Sequence, residues 1–339
     1  MPRKVHLVGS VPLADAATVF ETVGSILGPR IDRIPDGETG ERIGWIRWQE
    51  KVASGHPDLE KEPTPSVSDT GATRPRHRPR AGVAAAAIEF GPLGYAAAAL
   101  ASYRDFRRLK QAGKVPSGAR FLVSLPTPLA FFRNFISEPD QPVLERAYER
   151  RMVEELREIA GAVPAGELAI QWDAAFEMII IDKGTTTWMG ESRAAFAGRL
   201  IRLGEAVPAG VDLLYHLCYG DIGHKHSIEP TTTANLVDLG NRVAAGIRRP
   251  IQLIHMPVPR GRDDAPFYEP LKDLRLAPET QLCLGLIHFT DGVAGTRRRM
   301  AVADRYASGY AIATECGFGR RPPETVAPLL RLHAELADG

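Results

Sequence analysis

The stretch Val211-Asp-Leu-Leu-Tyr-His216-Leu-Cys218 is an apolar run of strand length that ends in a histidine and a cysteine. Short apolar runs bounded by turn residues are typical of buried strands in a parallel sheet. The chain contains eight such runs, at residues 5–9, 31–35, 121–125, 168–172, 211–217, 251–254, 282–287 and 310–314. Amphipathic helical patterns separate most of them, at residues 142–160, 192–206, 233–245, 295–308 and 323–336.

This alternation of strand and helix predicts an α/β fold with a parallel sheet. Eight units in 339 residues favour a (β/α)₈ TIM barrel over a doubly wound sheet. A doubly wound nucleotide-binding sheet carries a glycine-rich phosphate turn after its first strand, and Gly9-Ser-Val-Pro12 does not have that pattern. We therefore expect a single barrel domain over residues 1–339.

The connection between the second and third predicted strands is too long for one crossover. It contains residues 52–82, which are rich in Pro, Ser, Thr and charged residues and predict an insertion loop. The basic run from Arg74 to Arg80 in this insertion is interpreted as a solvated loop, with phosphate binding as the alternative. Residues 83–87 and 95–103 then predict alanine-rich helix packed over the barrel.

Charge and composition narrow the class of protein. Lys and Arg total 42 and Asp and Glu total 41, a formal net charge of +1, so a dedicated nucleic-acid binder is not expected. No apolar run has the length of a membrane span and no signal-peptide pattern follows Met1, so we expect a cytoplasmic protein. Three cysteines do not make a disulfide framework. Cys283 lies inside an apolar run and is interpreted as a core residue.

In a barrel of this kind, reactive side chains gather at the carboxyl ends of the strands. The polar residues of this chain follow that rule closely enough to predict a site there. In chain order the predicted strand ends carry Ser10, Asp36 and Glu38, Thr127, Asp173, His216 and Cys218, His255, His288 and Asp291, and Cys316.

A metal site is the first hypothesis for this group. His216 and Cys218 are two positions apart on a strand, so both side chains lie on one face and can bind one ion. With Cys316 from another strand end, they supply two thiolates and one imidazole, which satisfies the minimum ligand set of catalytic zinc. We predict His255 as a fourth ligand, with a histidine that only lines the pocket as the alternative. Other candidates for that place are His224, His226, Asp221 and Glu229.

The carboxylates Glu38 and Asp173 indicate a second task in the same pocket. Carboxylates pair with ammonium groups, which is how a site recognises an amino-acid-like substrate. The alternative is a structural ion pair with an arginine such as Arg42. Tryptophans near the predicted rim are candidates to stack on a flat substrate or to serve as core or lid: Trp45, Trp48, Trp172 and Trp188.

These residues resemble the C-terminal catalytic domain of cobalamin-independent methionine synthase, in the superfamily of uroporphyrinogen decarboxylase. Val8-Gly-Ser-Val-Pro12 resembles that family's Gly-Ser-Phe-Pro, Asp36-Gly-Glu38 its His-Gly-Glu, and Ile170-Gln-Trp-Asp173 its Ile-Gln-Ile-Asp. His216-Leu-Cys-Tyr219 resembles its His-x-Cys-Tyr zinc motif, and Glu315-Cys-Gly-Phe318 its closing Asp-Cys-Gly-Leu. The order and strand placement of the motifs also match, so the resemblance covers most of the chain.

The resemblance implies a zinc enzyme that transfers a methyl group from a folate to a thiol. Zinc lowers the pKa of a thiol, so a nucleophilic thiolate exists at neutral pH. By resemblance, the zinc ligands are His216, Cys218 and Cys316, and the residues that hold homocysteine by its carboxylate and amine are Ser10, Glu38 and Asp173. His288 falls where the family has a histidine associated with proton transfer to the methyl donor.

Two features depart from the family. The family's remaining ligand is a glutamate, and this chain has His255 at that place, which makes a site that includes it less electron-rich. The chain also lacks the additional N-terminal barrel that helps the full synthase bind a polyglutamylated folate. We therefore expect a small-molecule thiol and a methyl donor that is either a methylated folate or another small methyl carrier. The oligomeric state, including a homo-oligomer, stays open.

Two other functions remain as alternatives. One is a zinc-dependent hydrolase or lyase on the same barrel, with His288 or Asp291 as the general base for a metal-activated water. The other is a barrel that keeps its metal and pocket without the family's chemistry, which the change at His255 supports. A hydrolase would turn over without any thiol, and a non-catalytic barrel would bind zinc but no amino acid or methyl donor.

Overall fold

Seven strands form one parallel sheet, in which each strand pairs with the next one along the chain once the strands of the insertion are left out. The structure is a computed structural model, and it describes residues 2–63, 66–67, 73–185, 187–189, 192–221 and 225–339. The strands of this sheet are β1 (Arg33–Pro35), β6 (Arg120–Pro126), β7 (Leu168–Ala174), β8 (Asp212–Leu217), β9 (Leu253–Pro257), β10 (Gln281–Ile287) and β11 (Ala311–Thr314). Strands β2 to β5 belong to the insertion.

The first of the eight predicted strands, at residues 5–9, forms isolated bridges rather than a continuous strand. Val5 bridges in parallel to Ile31 on one side and to Ile312 on the other, and Ser10 bridges to Gly37. This segment therefore contacts both edges of the curled sheet, but single paired residues do not make a ladder. The part of the chain that the structure describes has seven strands in this sheet where the sequence predicted eight.

Helices lie between the sheet strands, and those predicted from periodicity agree with the structure to within a few residues. The predicted helix at 142–160 is α5, and that at 233–245 is α8. The helices are α1 (Ala16–Leu27), α2 (Glu50–Ser54), α3 (Tyr95–Gln111), α4 (Pro128–Phe135), α5 (Gln141–Ala162), α6 (Ala175–Lys183), α7 (Ser192–Glu205), α8 (Ala234–Gly246), α9 (Ala265–Tyr268), α10 (Gly292–Ala303) and α11 (Val326–Asp338). None of the described helices is long and apolar enough to cross a membrane.

The insertion carries short antiparallel pairs instead of irregular loop alone. Strand β2 (Leu59–Lys61) pairs with β5 (His77–Pro79), and β3 (Ser66–Val67) pairs with β4 (Thr73–Arg74). Residues 64–65 and 68–72 of the insertion lie outside the described part of the chain. The interpretation of the basic run as a solvated loop does not hold for its centre. Arg76 is 5% exposed and lies 3.4 Å from Glu138, because this hairpin packs against the end of α4.

Side chains inside the curled sheet form layers, because successive residues of a strand point to opposite faces. One layer is entirely apolar and includes Cys283, which is fully buried as predicted. The members of this layer are Leu122, Ala169, Leu214, Leu253, Cys283, Ala311 and Ala313. Two residues further along β6 to β9, towards the carboxyl ends, stand Ser124, Gln171, His216 and His255. The interior thus changes from apolar to polar over two residues of each strand, and the site lies on the polar side of this change.

Candidate metal and substrate site

A cavity of about 170 Å³ opens at the carboxyl ends of the strands. Six of the nine residues that the sequence assigned to the site line this cavity. They are Ser10, Glu38, Asp173, His216, Cys218 and Cys316. The remaining three, His255, His288 and Asp291, do not belong to its lining. Substrate and metal residues predicted from separate strands therefore share one pocket.

One ring nitrogen of His216 and the sulfur atoms of Cys218 and Cys316 lie within 4.8 Å of one another. The two sulfur atoms are 3.9 Å apart and both thiols are free. Two sulfurs at the usual zinc distance of about 2.3 Å, at a tetrahedral angle, stand about 3.8 Å apart. Within the described residues this is the single cluster of its kind. Its donor set and its spacing both fit zinc.

One ring nitrogen of His216 makes no hydrogen bond in the described structure. His216 is buried, its Nδ1 lies 2.7 Å from His255 Nδ1, and its Nε2 has no hydrogen-bond partner in the described structure. A buried polar atom without a partner is costly and calls for an explanation. Coordination of a metal by Nε2 supplies that explanation. His216 therefore fits the ligand role.

His255 lies behind His216 rather than beside the thiols. Its Nε2 is 3.0 Å from the carbonyl oxygen of Thr314, so both of its ring nitrogens are in hydrogen bonds. Burial is the largest cause that holds the pKa of His255 well below its usual value, and the neighbouring imidazoles of His216 and His6 act in the same direction. Neither hydrogen-bond partner of the ring is a carboxylate. Of the four predicted ligands, the structure brings three together and places His255 one hydrogen bond away.

The hydrogen bond between the two thiols shifts their pKa values in opposite directions. The bond from Cys218 is the main cause that lowers the pKa of Cys316 well below its usual value, and His216 and Arg320 add to this against the effect of burial. The same bond and burial raise the pKa of Cys218. The Arg320 guanidinium lies 3.7 Å from the sulfur of Cys316. A lowered pKa makes it easier for Cys316 to form a thiolate, which is the form of cysteine that binds metals.

Glu38 and Asp173 are carboxylates in the cavity, and among the described residues neither has an arginine or lysine in hydrogen-bond contact. Asp173 accepts a hydrogen bond of 2.8 Å from the side-chain amide of Gln171. Burial raises the pKa of Asp173 well above its usual value, and burial followed by the nearby Asp173 does the same for Glu38. The predicted ion pair with Arg42 forms instead with Asp36, at 2.7 Å. Both carboxylates therefore line the cavity with pKa values raised by burial.

The wall that carries Glu38 is conformationally strained. Glu38 and Trp45 are the described non-glycine residues with positive φ, at 48° and 58°. Such backbone angles cost about 1–3 kcal/mol each and concentrate at functional sites. Trp45 stacks on Phe176, with ring centroids 6.3 Å apart and an interplanar angle of 12°, and both rings line the cavity. The strain thus holds a carboxylate and a flat apolar surface towards the same space.

Ser10 is held by a close backbone approach. Its hydroxyl oxygen accepts a 3.2 Å hydrogen bond from the amide of Gly319. A Cβ atom at Gly317 would lie 2.4 Å from that oxygen, so only glycine allows the segment after Cys316 to pass this near. Ser10 and Cys316 are consequently fixed relative to each other.

His288 and Asp291 have partners outside the cavity. His288 donates through Nε2 to the carbonyl of Val258 at 2.8 Å, and burial lowers its pKa to about 3. Asp291 makes two hydrogen bonds, of 2.6 and 2.9 Å, to the buried guanidinium of Arg299. His226 is buried with no hydrogen-bond partner for its Nε2 in the described structure, and His224 lies outside the described residues. His288, Asp291 and His226 do not belong to the three-residue cluster.

Sequence reasoning missed several residues of the cavity. Arg47, Phe176 and Arg320 line it, and the rim tryptophan that lines it is Trp45. Arg47 and Arg320 lie in connections, where spacing carries no information about direction. A signal was available for Arg320, because it follows Cys316 within one short glycine-containing turn. Asp221, which the sequence considered as a metal ligand, is 2.9 Å from Arg320.

Solved structures of similar fold span the whole chain. A B12-independent methionine synthase from Shewanella sp. W3-18-1, in complex with selenomethionine, has a TM-score of 0.62 at 14% identity, with 100% of this chain and 97% of that chain covered. A protein described as a vitamin-B12-independent methionine synthase from Listeria monocytogenes has a TM-score of 0.61 at 16% identity, covering 99% and 97%. A methyltransferase from Methanosarcina mazei has a TM-score of 0.50 at 12% identity, covering 98% and 94%.

At these identities the likeness is one of fold. No known protein-family model matches the chain, and no curated protein matches it. The similar structures share with this chain a mixed α/β architecture with a curled parallel sheet.

Proposed function

We propose that this protein is a zinc-dependent methyltransferase whose acceptor is a small thiol with an amino group, such as homocysteine. The observation that carries the proposal is the convergence of His216, Cys218 and Cys316 within 4.8 Å in one cavity with Glu38 and Asp173. We further propose that the curled sheet is a (β/α)₈ barrel completed by residues 5–9. The bridges of Val5 to both sheet edges support this.

His216, Cys218 and Cys316 would hold the zinc ion. Zinc supplies a positive charge that lowers the pKa of a coordinated thiol to below neutral pH. The protein's own residues then select and align the acceptor. Glu38 and Asp173 pair with its ammonium group, and this pairing restores the charge balance that their burial disturbs. Ser10, fixed by Gly319, offers its hydroxyl to the carboxylate of the same molecule.

The apolar face formed by Trp45 and Phe176 shapes the place for the methyl donor. A flat methylated folate or another small methyl carrier would stack there, with its methyl carbon towards the thiol. Alignment of two reactants in a closed pocket contributes much of the rate of such a transfer. The complex of the Shewanella synthase with selenomethionine supports a methionine-like product for a pocket of this fold.

The test combines metal analysis, zinc-edge X-ray absorption and turnover. We expect about one zinc per chain with two sulfur scatterers, rising to three when homocysteine is added. Cys218→Ser should reduce the sulfur count and abolish thioether formation with every donor in a panel of methyl carriers. Cys283→Ser is the matched control, because Cys283 is a buried cysteine of the apolar layer. Wild-type protein whose sulfur count does not rise with homocysteine would contradict the proposal.

A metal-dependent hydrolase or lyase is the competing function. It requires a general base at the cavity, and the sequence assigned that task to His288 or Asp291. Asp291 is instead bound by Arg299 on both carboxylate oxygens, and the ring of His288 donates to a backbone carbonyl. The observations therefore favour thiol chemistry. Turnover of a substrate without any thiol would reverse this preference.

A further inference from the structure

His255 occupies the strand position at which the sequence predicted a fourth ligand, and its surroundings assign it another task. It is fully buried, and its Nε2 faces the carbonyl oxygen of Thr314 at 3.0 Å. A carbonyl oxygen only accepts, so His255 Nε2 carries the hydrogen. The ring is fully buried and neither of its hydrogen-bond partners is a carboxylate, so it is an uncharged imidazole whose other nitrogen, Nδ1, has only a lone pair to offer.

The direction of the hydrogen bond between His216 and His255 follows from the bond that His255 makes to Thr314. His255 Nδ1 lies 2.7 Å from His216 Nδ1, so His216 must be the donor and its hydrogen must be on Nδ1. His216 Nε2 is thereby left with its lone pair, and this is the buried atom without a hydrogen-bond partner. His216 thus donates to His255, and His255 donates to the carbonyl oxygen of Thr314.

We infer that His255 is a positioning residue that holds His216 in the tautomer and orientation required of a metal ligand, and is not itself a ligand. The inference rests on the zinc site proposed above. It explains how a site with a histidine at this strand position can still present three converging ligand atoms. A partner on the far nitrogen of a ligating histidine fixes its tautomer and raises its basicity.

The backbone around His255 is shaped for this bond. The pairing of β10 with β11 is irregular between Leu284 and Ile287, next to Thr314. Gly285 lies in this irregular stretch, and a Cβ atom there would be 2.8 Å from the Thr314 oxygen and 3.0 Å from His255 Nε2. Only a residue without a side chain leaves the hydrogen bond intact. Gly285 is therefore part of the same arrangement although it contacts no ligand atom.

The first test needs no metal. In chelator-treated wild-type protein, ¹⁵N NMR of the histidine rings should show His216 with its hydrogen on Nδ1 and His255 with its hydrogen on Nε2. His255→Leu should remove the preference of His216 for the Nδ1 form. A His216 that carries its hydrogen on Nε2 in the wild-type protein would overturn the inference.

The second test measures zinc affinity and coordination. His255→Leu should weaken zinc binding about 10- to 100-fold, the usual effect of losing the partner of a ligating histidine. His255→Gln, which keeps one acceptor and one donor, should recover part of the loss, and Gly285→Ala should weaken binding in the same direction. His333→Leu is the control, because His333 is another buried histidine with a single carbonyl partner, Leu329.

Coordination separates the competing outcomes. Wild type and His255→Leu should both show one imidazole and two sulfurs by X-ray absorption, even though the affinity differs. Two imidazoles in the wild type and one in His255→Leu, or an unchanged affinity, would overturn the inference. If this pattern holds but no thiol is methylated, the proposed function fails and the role of His255 stands. Wild-type protein that binds no zinc would overturn both.

Discussion

Asp173 and Asp291 both stand at the carboxyl end of the sheet, and their surroundings differ. Asp291 is held by the guanidinium of Arg299 through two hydrogen bonds. Burial acts to raise its pKa, but the bonds and charge of Arg299 outweigh this and leave the pKa lowered. Asp173 has two uncharged hydrogen-bond partners, the amide of Gln171 and the indole of Trp45, and burial raises its pKa despite both. The first carboxylate is compensated by the protein, whereas the second is not.

Asp291 and Asp173 are therefore expected to have different roles, one structural and one functional, although both lie at the same end of the sheet. A protein that buries a carboxylate without a cation gives up stability, and such sites are found where a ligand completes the charge balance. The pair Glu38 and Asp173 therefore indicates a cationic ligand group, whereas Asp291 and Arg299 stabilise the start of α10. Removal of each carboxylate in turn tests the comparison.

The largest effect is expected for Asp173→Asn. Loss of a charged hydrogen-bond acceptor for the ammonium group should lower kcat/KM for the thiol substrate by about 100-fold, or about 3 kcal/mol. The free energy of unfolding of the metal-free protein should not fall, because a buried uncompensated charge is removed. Steady-state kinetics and urea unfolding measure the two quantities. An unchanged kcat/KM would contradict the role of Asp173 in binding the ammonium group.

Asp291→Asn should show the reverse pattern. Arg299 would remain buried, with 1% of its side chain exposed, without its carboxylate. We expect the free energy of unfolding to fall by about 2 kcal/mol, while kcat/KM of the folded enzyme changes less than about threefold. Urea unfolding with matched kinetics gives both values. A catalytic loss as large as that of Asp173→Asn, at unchanged stability, would assign Asp291 to the chemistry instead.

Glu38→Gln should change how stability depends on pH. The pKa of Glu38 in the folded protein is raised above its ordinary value of 4.5, so the folded state keeps a proton that the unfolded state has lost. Stability therefore falls as pH rises above about 4.5, and the substitution should make this fall shallower. Asp291→Asn is the control, because its lowered pKa contributes stability that is lost only as pH falls below its ordinary value of 3.8, so its slope between pH 5 and 8 should match that of the wild type. Urea unfolding of metal-free protein between pH 5 and 8 measures the slope.

The smallest effect is expected for Arg47→Gln. Arg47 is an exposed cation that lines the cavity, and Gly44 leaves room for its side chain, since a Cβ there would lie 3.2 Å from its Cδ. An exposed guanidinium contributes about 1 kcal/mol or less to binding of an anionic group. We expect a rise in KM of up to about fivefold at constant kcat. Arg104→Gln, at an exposed position of α3, should change neither constant.

The sequence was sufficient for the parts of the site that depend on strand period. Two-residue spacing predicts that His216 and Cys218 lie on one face of a strand. Reactive side chains gather at the carboxyl ends of the strands in such a fold, which predicts that Cys316, Glu38 and Asp173 share their cavity. The role of His255 could not be read in the same way. Its position facing the interior follows from the period, but its hydrogen bonds depend on the distance between strands.

Other differences between prediction and structure arise from contacts that are distant in sequence or made in loops. The partner of Asp291 is Arg299, two helical turns later, and nothing in the spacing distinguishes such a pair from a free general base. Arg47 reaches the cavity through a strained connection. The hairpins of the insertion contain Pro and charged residues, a composition that favours loop. The segment at residues 5–9 has a strand pattern, but its pairing is limited to single bridges.

The bridges of Val5 also bear on the kinetics of folding. They join the start of the chain to Ile31 and to Ile312, and the same segment supplies Val8, Gly9 and Ser10 to the cavity. Contacts between residues so far apart in sequence have a high cost of loop closure and form late. We therefore expect the pocket to be completed late in folding. A bound ligand should therefore slow unfolding while leaving the folding rate unchanged.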